Sequence, residues 1–106
     1  MSALVKRNLN YIRLLSECKS KPQQKALVET ITRDQLKAVI EITYNILQLN
    51  VPVSKSDKRK LARKVSVLKQ ISNRKNSLKQ TRILLTKNIS TTLLIVKAAL
   101  PVLLTF

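Results

Sequence analysis

The spacing of apolar residues along the chain predicts helices throughout, and no strand-like alternation is sustained. In the first segment Val5, Leu9, Ile12 and Leu15 recur at intervals of three or four residues, which places them on one helical face. Ser2 precedes this stripe as a candidate N-cap. The pattern predicts a first helix from this cap to about residue 18.

Four further helix starts share a second signal, a Ser or Thr followed three residues later by Gln or Asp. Ser20, Thr32, Ser54 and Ser77 are the candidate caps. A run of Asn and Ser at 72–77 predicts a break before the last of these helices, and Pro52 marks the end of the third. The four predicted helices span about residues 21–31, 33–49, 54–72 and 77–87.

The expected buried stripes complete the prediction of the fold. In the third helix the stripe includes Tyr44, and in the fourth it includes Leu61, Val65 and Leu68. We predict an all-α protein, a small bundle of four to five helices with an apolar C-terminal helix or tail. A chain of 106 residues is long enough for one domain only.

Charge divides this domain into three zones. Residues 1–53 form a mixed-charge helical platform, residues 54–88 a basic helical region, and residues 89–106 an apolar C-terminal segment. The formal net charge is +16, and the five acidic residues all lie at or before Asp57. Such an asymmetry indicates a nucleic-acid or anionic-membrane partner.

Composition makes catalysis an unattractive hypothesis. The chain has no Gly and no His, and it has a single Cys. It therefore cannot form a glycine-rich phosphate loop, an imidazole general base or a cysteine-rich zinc site. We predict that the protein is not an enzyme and uses no cofactor or metal.

The basic region is the candidate nucleic-acid-binding site. Between residues 55 and 87 there are twelve bases and one acid, and no aromatic residue that could stack on single-stranded bases. Few Asn or Gln are interspersed, so contacts are expected with phosphates rather than with base edges. The simpler alternatives are a solvated lysine face and a nuclear-localisation patch. The predicted contact residues are Lys58, Arg59, Lys60, Arg63, Lys64, Lys69, Arg74, Lys75, Lys79, Arg82 and Lys87.

The apolar tail is open to three interpretations. It could fold back as a core helix, insert shallowly into an anionic membrane, or pack against another protein or a second copy of the chain. Lys97 near its centre and Pro101 near its end make a transmembrane helix an unsatisfactory assignment. The predicted membrane or assembly contacts are Leu93, Leu94, Ile95, Val96, Leu100, Val102, Leu103, Leu104 and Phe106.

Several segments together resemble short basic open reading frames of Polinton (Maverick) transposons and of the related adintoviruses. They are the leucine-rich first helix, the segment NILQLNVPVS at residues 45–54, the KRKL at 58–61, and the lysine-rich run before an apolar end. Where related frames usually have a Gly pair before the tail, this chain has Asn88, Ile89 and Ser90. Such frames are similar to the adenovirus core protein X, which condenses packaged DNA.

The resemblance implies that the basic residues named above, apart from Lys69, contact DNA phosphates and that residues 93–104 form a hydrophobic terminus. The predicted function is sequence-nonspecific DNA binding or condensation by a virion core component, located in the virion and the host nucleus. Two alternatives stay open. One is a membrane-active protein, and the other is a helical interaction module for an acidic partner. A capsid protein or a second copy of the chain is a further candidate partner for the tail.

Overall fold

The computed structural model describes residues 2–105, and every regular element in that range is a helix. The all-α class is therefore confirmed. The helix count is not, because the described residues form eight helices instead of four or five. They are α1 Ala3–Arg7, α2 Leu9–Glu17, α3 Lys21–Glu29, α4 Arg33–Leu47, α5 Lys55–Ala62, α6 Val65–Ile71, α7 Leu78–Lys87 and α8 Ile89–Leu103.

Five of the eight described helices, α1, α3, α4, α5 and α7, begin where the capping residues predict them. The Ser2 hydroxyl accepts from the Val5 amide, and Ser20 and Ser54 accept in the same way at the starts of α3 and α5. Thr32 and Ser77 form full capping boxes, in which the Gln side chain three residues on accepts from the backbone amide of the cap. The predicted break at 72–77 is also present, between α6 and α7.

Two predicted helices are each divided by a short break. Asn8 separates α1 from α2 with φ −104° and ψ 14°. Arg63 and Lys64 separate α5 from α6, and Lys64 departs from helical geometry with φ −112° and ψ 15°. The Asn8 amide group donates to the Leu4 carbonyl at 2.9 Å and to Asp34 Oδ2 at 2.8 Å. The break after α1 is thus stabilised by a residue in α4.

Asp34 joins the break after α1 to the first turn of α4. The Arg7 guanidinium donates to both of its carboxylate oxygens, at 3.0 and 3.3 Å. These hydrogen bonds and the one from Asn8 hold the pKa of the Asp34 carboxyl below its ordinary value. A carboxylate is also favoured here by the positive end of the α4 dipole.

The C-terminal segment is a core helix, one of the three interpretations that the sequence leaves open. Helix α8 packs against α2, α3, α4, α5 and α7. Ile95, Val96 and Ala99 are fully buried. The exposed residues Ser90, Lys97, Pro101 and Leu104 recur at helical spacing, so α8 presents one narrow stripe to solvent. Lys97 lies on that stripe, and its charge is therefore hydrated.

Helix α4 ends in a Schellman motif that has leucine where glycine is usual. The Asn50 amide donates to the Asn45 carbonyl and the Leu49 amide to the Ile46 carbonyl, which places Leu49 at the left-handed position with φ 59°. A left-handed conformation costs a non-glycine residue about 1–2 kcal/mol. The Leu49 side chain is 75% exposed, so core packing does not offset this cost.

We expect Leu49→Gly to raise the free energy of unfolding by about 1 kcal/mol, because glycine adopts a positive φ without a steric penalty. Chemical denaturation in urea measures this change. The matched control is Gln48→Gly, whose φ of −84° suits any residue, and which should lose up to about 1 kcal/mol. A destabilised Leu49→Gly variant would show that the leucine side chain contributes to folding.

Candidate nucleic-acid interface

Helix α5 presents a stripe of cations. One face of this helix contains Lys55, Lys58, Arg59 and Ala62, which are spaced as i, i+3, i+4 and i+7. In the structure they line a shallow cleft of about 260 Å³. Leu61 is the buried residue that holds α5 to the core. Lys55 is absent from the predicted contact residues, although its spacing from Lys58 and Arg59 was a sufficient signal.

The predicted phosphate contacts are on the surface with one exception. Ten of the eleven residues are exposed, and Arg82 is half-buried. Within residues 2–105 no base from 55 to 87 takes part in an ion pair. The three ion pairs in that range are Arg7–Asp34, Arg13–Glu17 and Lys25–Glu29, all in the first third of the chain.

Arg82 is placed differently from the prediction. Its Nη2 donates to the Ile31 carbonyl at 3.0 Å, and its Nε is buried without a hydrogen-bond partner. The guanidinium therefore connects α7 to the end of α3 instead of facing outward along its whole length. No pattern in the sequence distinguishes this arginine from its neighbours, because its partner is a main-chain oxygen 51 residues away.

Arg74 lies on the side of the molecule formed by α4. Its guanidinium carbon is 5.7 Å from the centroid of the Tyr44 ring, a cation–π distance. Tyr44 is 41% exposed, so the prediction that it belongs to the buried stripe of α4 is wrong. The two residues share a cleft with Glu41. Arg74 thus stays exposed and has an acidic neighbour in the cleft.

The amide side chains between α6 and α7 serve local structure. The Asn76 amide group donates to the Gln70 carbonyl at 2.7 Å, and Asn73 Oδ1 accepts from the Lys75 amide at 3.0 Å. Gln80 closes the capping box of α7. Because these groups are engaged with the backbone, they are poorly placed to read base edges. The neighbouring cations Lys69, Lys79 and Lys87 are exposed.

The residues predicted to contact a membrane or partner belong mostly to the core. Leu93, Ile95, Val96 and Leu103 are buried, and Leu94, Leu100 and Val102 are half-buried. Leu104 is 50% exposed, and Phe106 lies outside the described residues. The buried members cannot face a membrane or another protein in this fold, because they fill the space between α8 and its neighbouring helices.

A membrane-spanning assignment finds limited support in the part of the chain that the structure describes. No single helix there is both long and apolar enough to cross a bilayer. Helices α7 and α8 reach the required length and hydropathy only when taken together, and the chain bends by 96° between them.

Comparison with known proteins gave no match to this chain among protein-family models, curated proteins or solved structures.

Proposed function

We propose that this protein binds DNA without sequence specificity, through contacts between the phosphate backbone and the cations of α5, α6, α7 and their connections. The observation that carries the proposal is the set of exposed, unpaired bases between residues 55 and 87 of the described chain. Repulsion among these like charges is relieved when a polyanion covers them and its condensed counterions are released.

The phosphate backbone fits this surface better than bases do. Helix α5 has eight residues, of which five are Lys, Arg or Asp. The Asn73 and Asn76 side chains between α6 and α7 already form hydrogen bonds with the backbone, so they are poorly placed to read base edges. Residues 55 to 87 contribute no aromatic ring for base stacking, and the Tyr44 ring beside Arg74 already faces that guanidinium. What is left is charge, which recognises phosphate and carries no sequence information.

The proposed role is structural. In line with the resemblance to Polinton-type and adintovirus frames, the protein would be a non-enzymatic core component that condenses DNA in a virion and reaches it in the host nucleus. One globule with dimensions of 29 × 27 × 27 Å would neutralise a short stretch of duplex, and many copies would be needed to coat a genome. The membrane-active alternative needs an accessible apolar tail, whereas most apolar residues of α8 are buried or half-buried against the core.

Salt dependence tests this mechanism. If about eight cations contact phosphates, the logarithm of the association constant should fall with the logarithm of salt concentration with a slope of about −7. Fluorescence anisotropy on labelled duplexes of different base composition measures the slope, and affinities should agree within about threefold across sequences. A slope near zero, or strong preference for one sequence, would contradict the proposal.

A further inference from the structure

An apolar groove of about 330 Å³ lies beside α5, between the end of α4, the connection at 48–54, and α6. Its floor is made of side chains that belong to the core, among them Ile46, Leu61 and Leu68, each no more than 7% exposed. Among the described residues that line it, Lys58 alone is charged. A concave surface of this size and composition is typical of a binding site.

The rim of the groove is apolar as well. Leu49 is 75% exposed and Val65 is 41% exposed, and Pro52 is also on the surface. Val65 reaches the rim because the break at Lys64 interrupts the helical phase, so the prediction that it lies on the same buried stripe as Leu61 is wrong. A small-molecule pocket has its apolar side chains on the inside. Apolar side chains exposed around the rim are covered only by a larger occupant.

Leu49 is the strongest sign that the groove binds something. The chain holds a large apolar side chain at a left-handed position, on the surface, where glycine would cost less. Folding gains nothing evident from this arrangement. Backbone strain of this kind tends to accumulate at functional positions, and the Leu49 side chain borders the groove.

Charge beside the groove indicates what the occupant carries. Lys58 and Ala62 line both the apolar groove and the cation cleft of α5, where Lys55 and Arg59 also lie. An occupant that places apolar groups in the groove therefore has negative groups within reach of three cations. A second copy of this chain is a poor occupant, because each copy carries a formal net charge of +16.

We propose that the groove docks an acidic amphipathic segment of a partner protein, with apolar side chains against Ile46, Leu61 and Val65 and carboxylates above Lys55, Lys58 and Arg59. This mode corresponds to an amphipathic helix lying in a hydrophobic groove. This docking is a function beyond DNA binding, but it uses the same α5 cations. The acidic segment and the DNA duplex therefore compete for this face.

The test uses a synthetic helical peptide of about 16 residues, or about four turns, with Leu at i, i+3, i+4 and i+7 and Glu elsewhere. A scrambled peptide of the same composition is the negative control. Titration into isotope-labelled full-length protein should shift the amide resonances of Leu49, Leu61 and Val65. The scrambled peptide should bind at least about tenfold more weakly, because its apolar residues share no face.

Leu49→Asn and Lys58→Gln separate the apolar and electrostatic contributions. Asparagine tolerates the left-handed conformation, so Leu49→Asn should fold well, and we expect it to weaken peptide binding by about tenfold. Lys58→Gln should weaken it about threefold to fivefold. The matched controls are Leu14→Asn, at a leucine 55% exposed on α2, and Lys97→Gln on α8, and both should bind as the parent does.

The proposal is overturned if both peptides bind equally, if Leu49→Asn binds as Leu14→Asn does, or if the shifts lie away from the groove. It is also overturned if vesicles of phosphatidylcholine and phosphatidylserine shift the same amide resonances in a Leu49-dependent way and the peptide does not. The occupant would then be a lipid surface. No DNA is present in this experiment, so its failure would leave the DNA-binding proposal unaffected.

Discussion

Replacing Lys58, Arg59, Lys60, Arg63 and Lys64 together with Gln is expected to lower affinity for duplex DNA by two to three orders of magnitude at low salt. All five are exposed and none is ion-paired in the described chain. Loss of about five phosphate contacts should also reduce the steepness of the salt dependence by about 4.5, since each contact contributes about 0.9. Fluorescence anisotropy over a salt series measures both quantities.

A second quintuple variant controls for net charge. It neutralises five exposed bases that lie in the first half of the chain and form no ion pair within residues 2–105, and its loss of affinity should stay below about tenfold. The Debye length of about 8 Å at physiological salt is short beside the 27–29 Å dimensions of the globule, so local charge determines what each face binds. Equal losses in both variants would mean that only net charge matters. The control positions are Lys6, Lys19, Lys21, Arg33 and Lys37.

Replacing Ile95 with Ala is expected to lower the free energy of unfolding by about 3 kcal/mol. Ile95 is fully buried in α8, which packs against α2, α3, α4, α5 and α7. The loss combines the transfer free energy of the deleted carbons with the cost of the cavity they leave. For a domain of this size it corresponds to a fall in Tm of about 10–20 °C. Urea denaturation and thermal unfolding provide the measurement.

Ile83→Ala is the matched control for Ile95, because Ile83 lies on α7 and is 45% exposed. Its replacement should change the free energy of unfolding by no more than about 0.5 kcal/mol, as at most surface positions. If Ile95→Ala were as stable as Ile83→Ala, α8 would not be a core helix. The apolar segment would then again be available to a membrane or a partner.

Local signals in the sequence were enough to locate most helix starts. A cap such as Thr32 acts on amides within its own first turn, so its effect can be read from four consecutive residues. The break at 72–77 could be predicted for a similar reason, because Asn and Ser compete for backbone hydrogen bonds locally. The cation stripe of α5 also follows from spacing alone.

Features that depend on distant residues could not be predicted in this way. Asn8 interrupts the first helix with support from Asp34, which is 26 residues away in sequence. Arg82 points to the Ile31 carbonyl, which no spacing rule indicates. The position of α8 depends on which faces the other helices leave uncovered. Composition alone therefore could not decide whether the segment is a core helix, a membrane contact or a protein contact.

The apolar groove was missed because it arises from two irregularities. Leu49 occupies a left-handed position that sequence rules reserve for Gly or Asn, and this chain contains no Gly. Val65 leaves the buried stripe because α5 and α6 are separate helices. Each departure looks unremarkable alone, and together they leave a concave apolar surface next to the most basic helix.

The central claim is that DNA covers the cations of α5, α6, α7 and their connections and leaves those in the first half of the chain uncovered. Lysine acetylation of the protein, with and without a saturating duplex, followed by mass spectrometry tests it most directly. We predict strong protection of Lys58, Lys60, Lys64 and Lys69, and unchanged modification of Lys6. Uniform protection of all these lysines, or none at the first four, would contradict it.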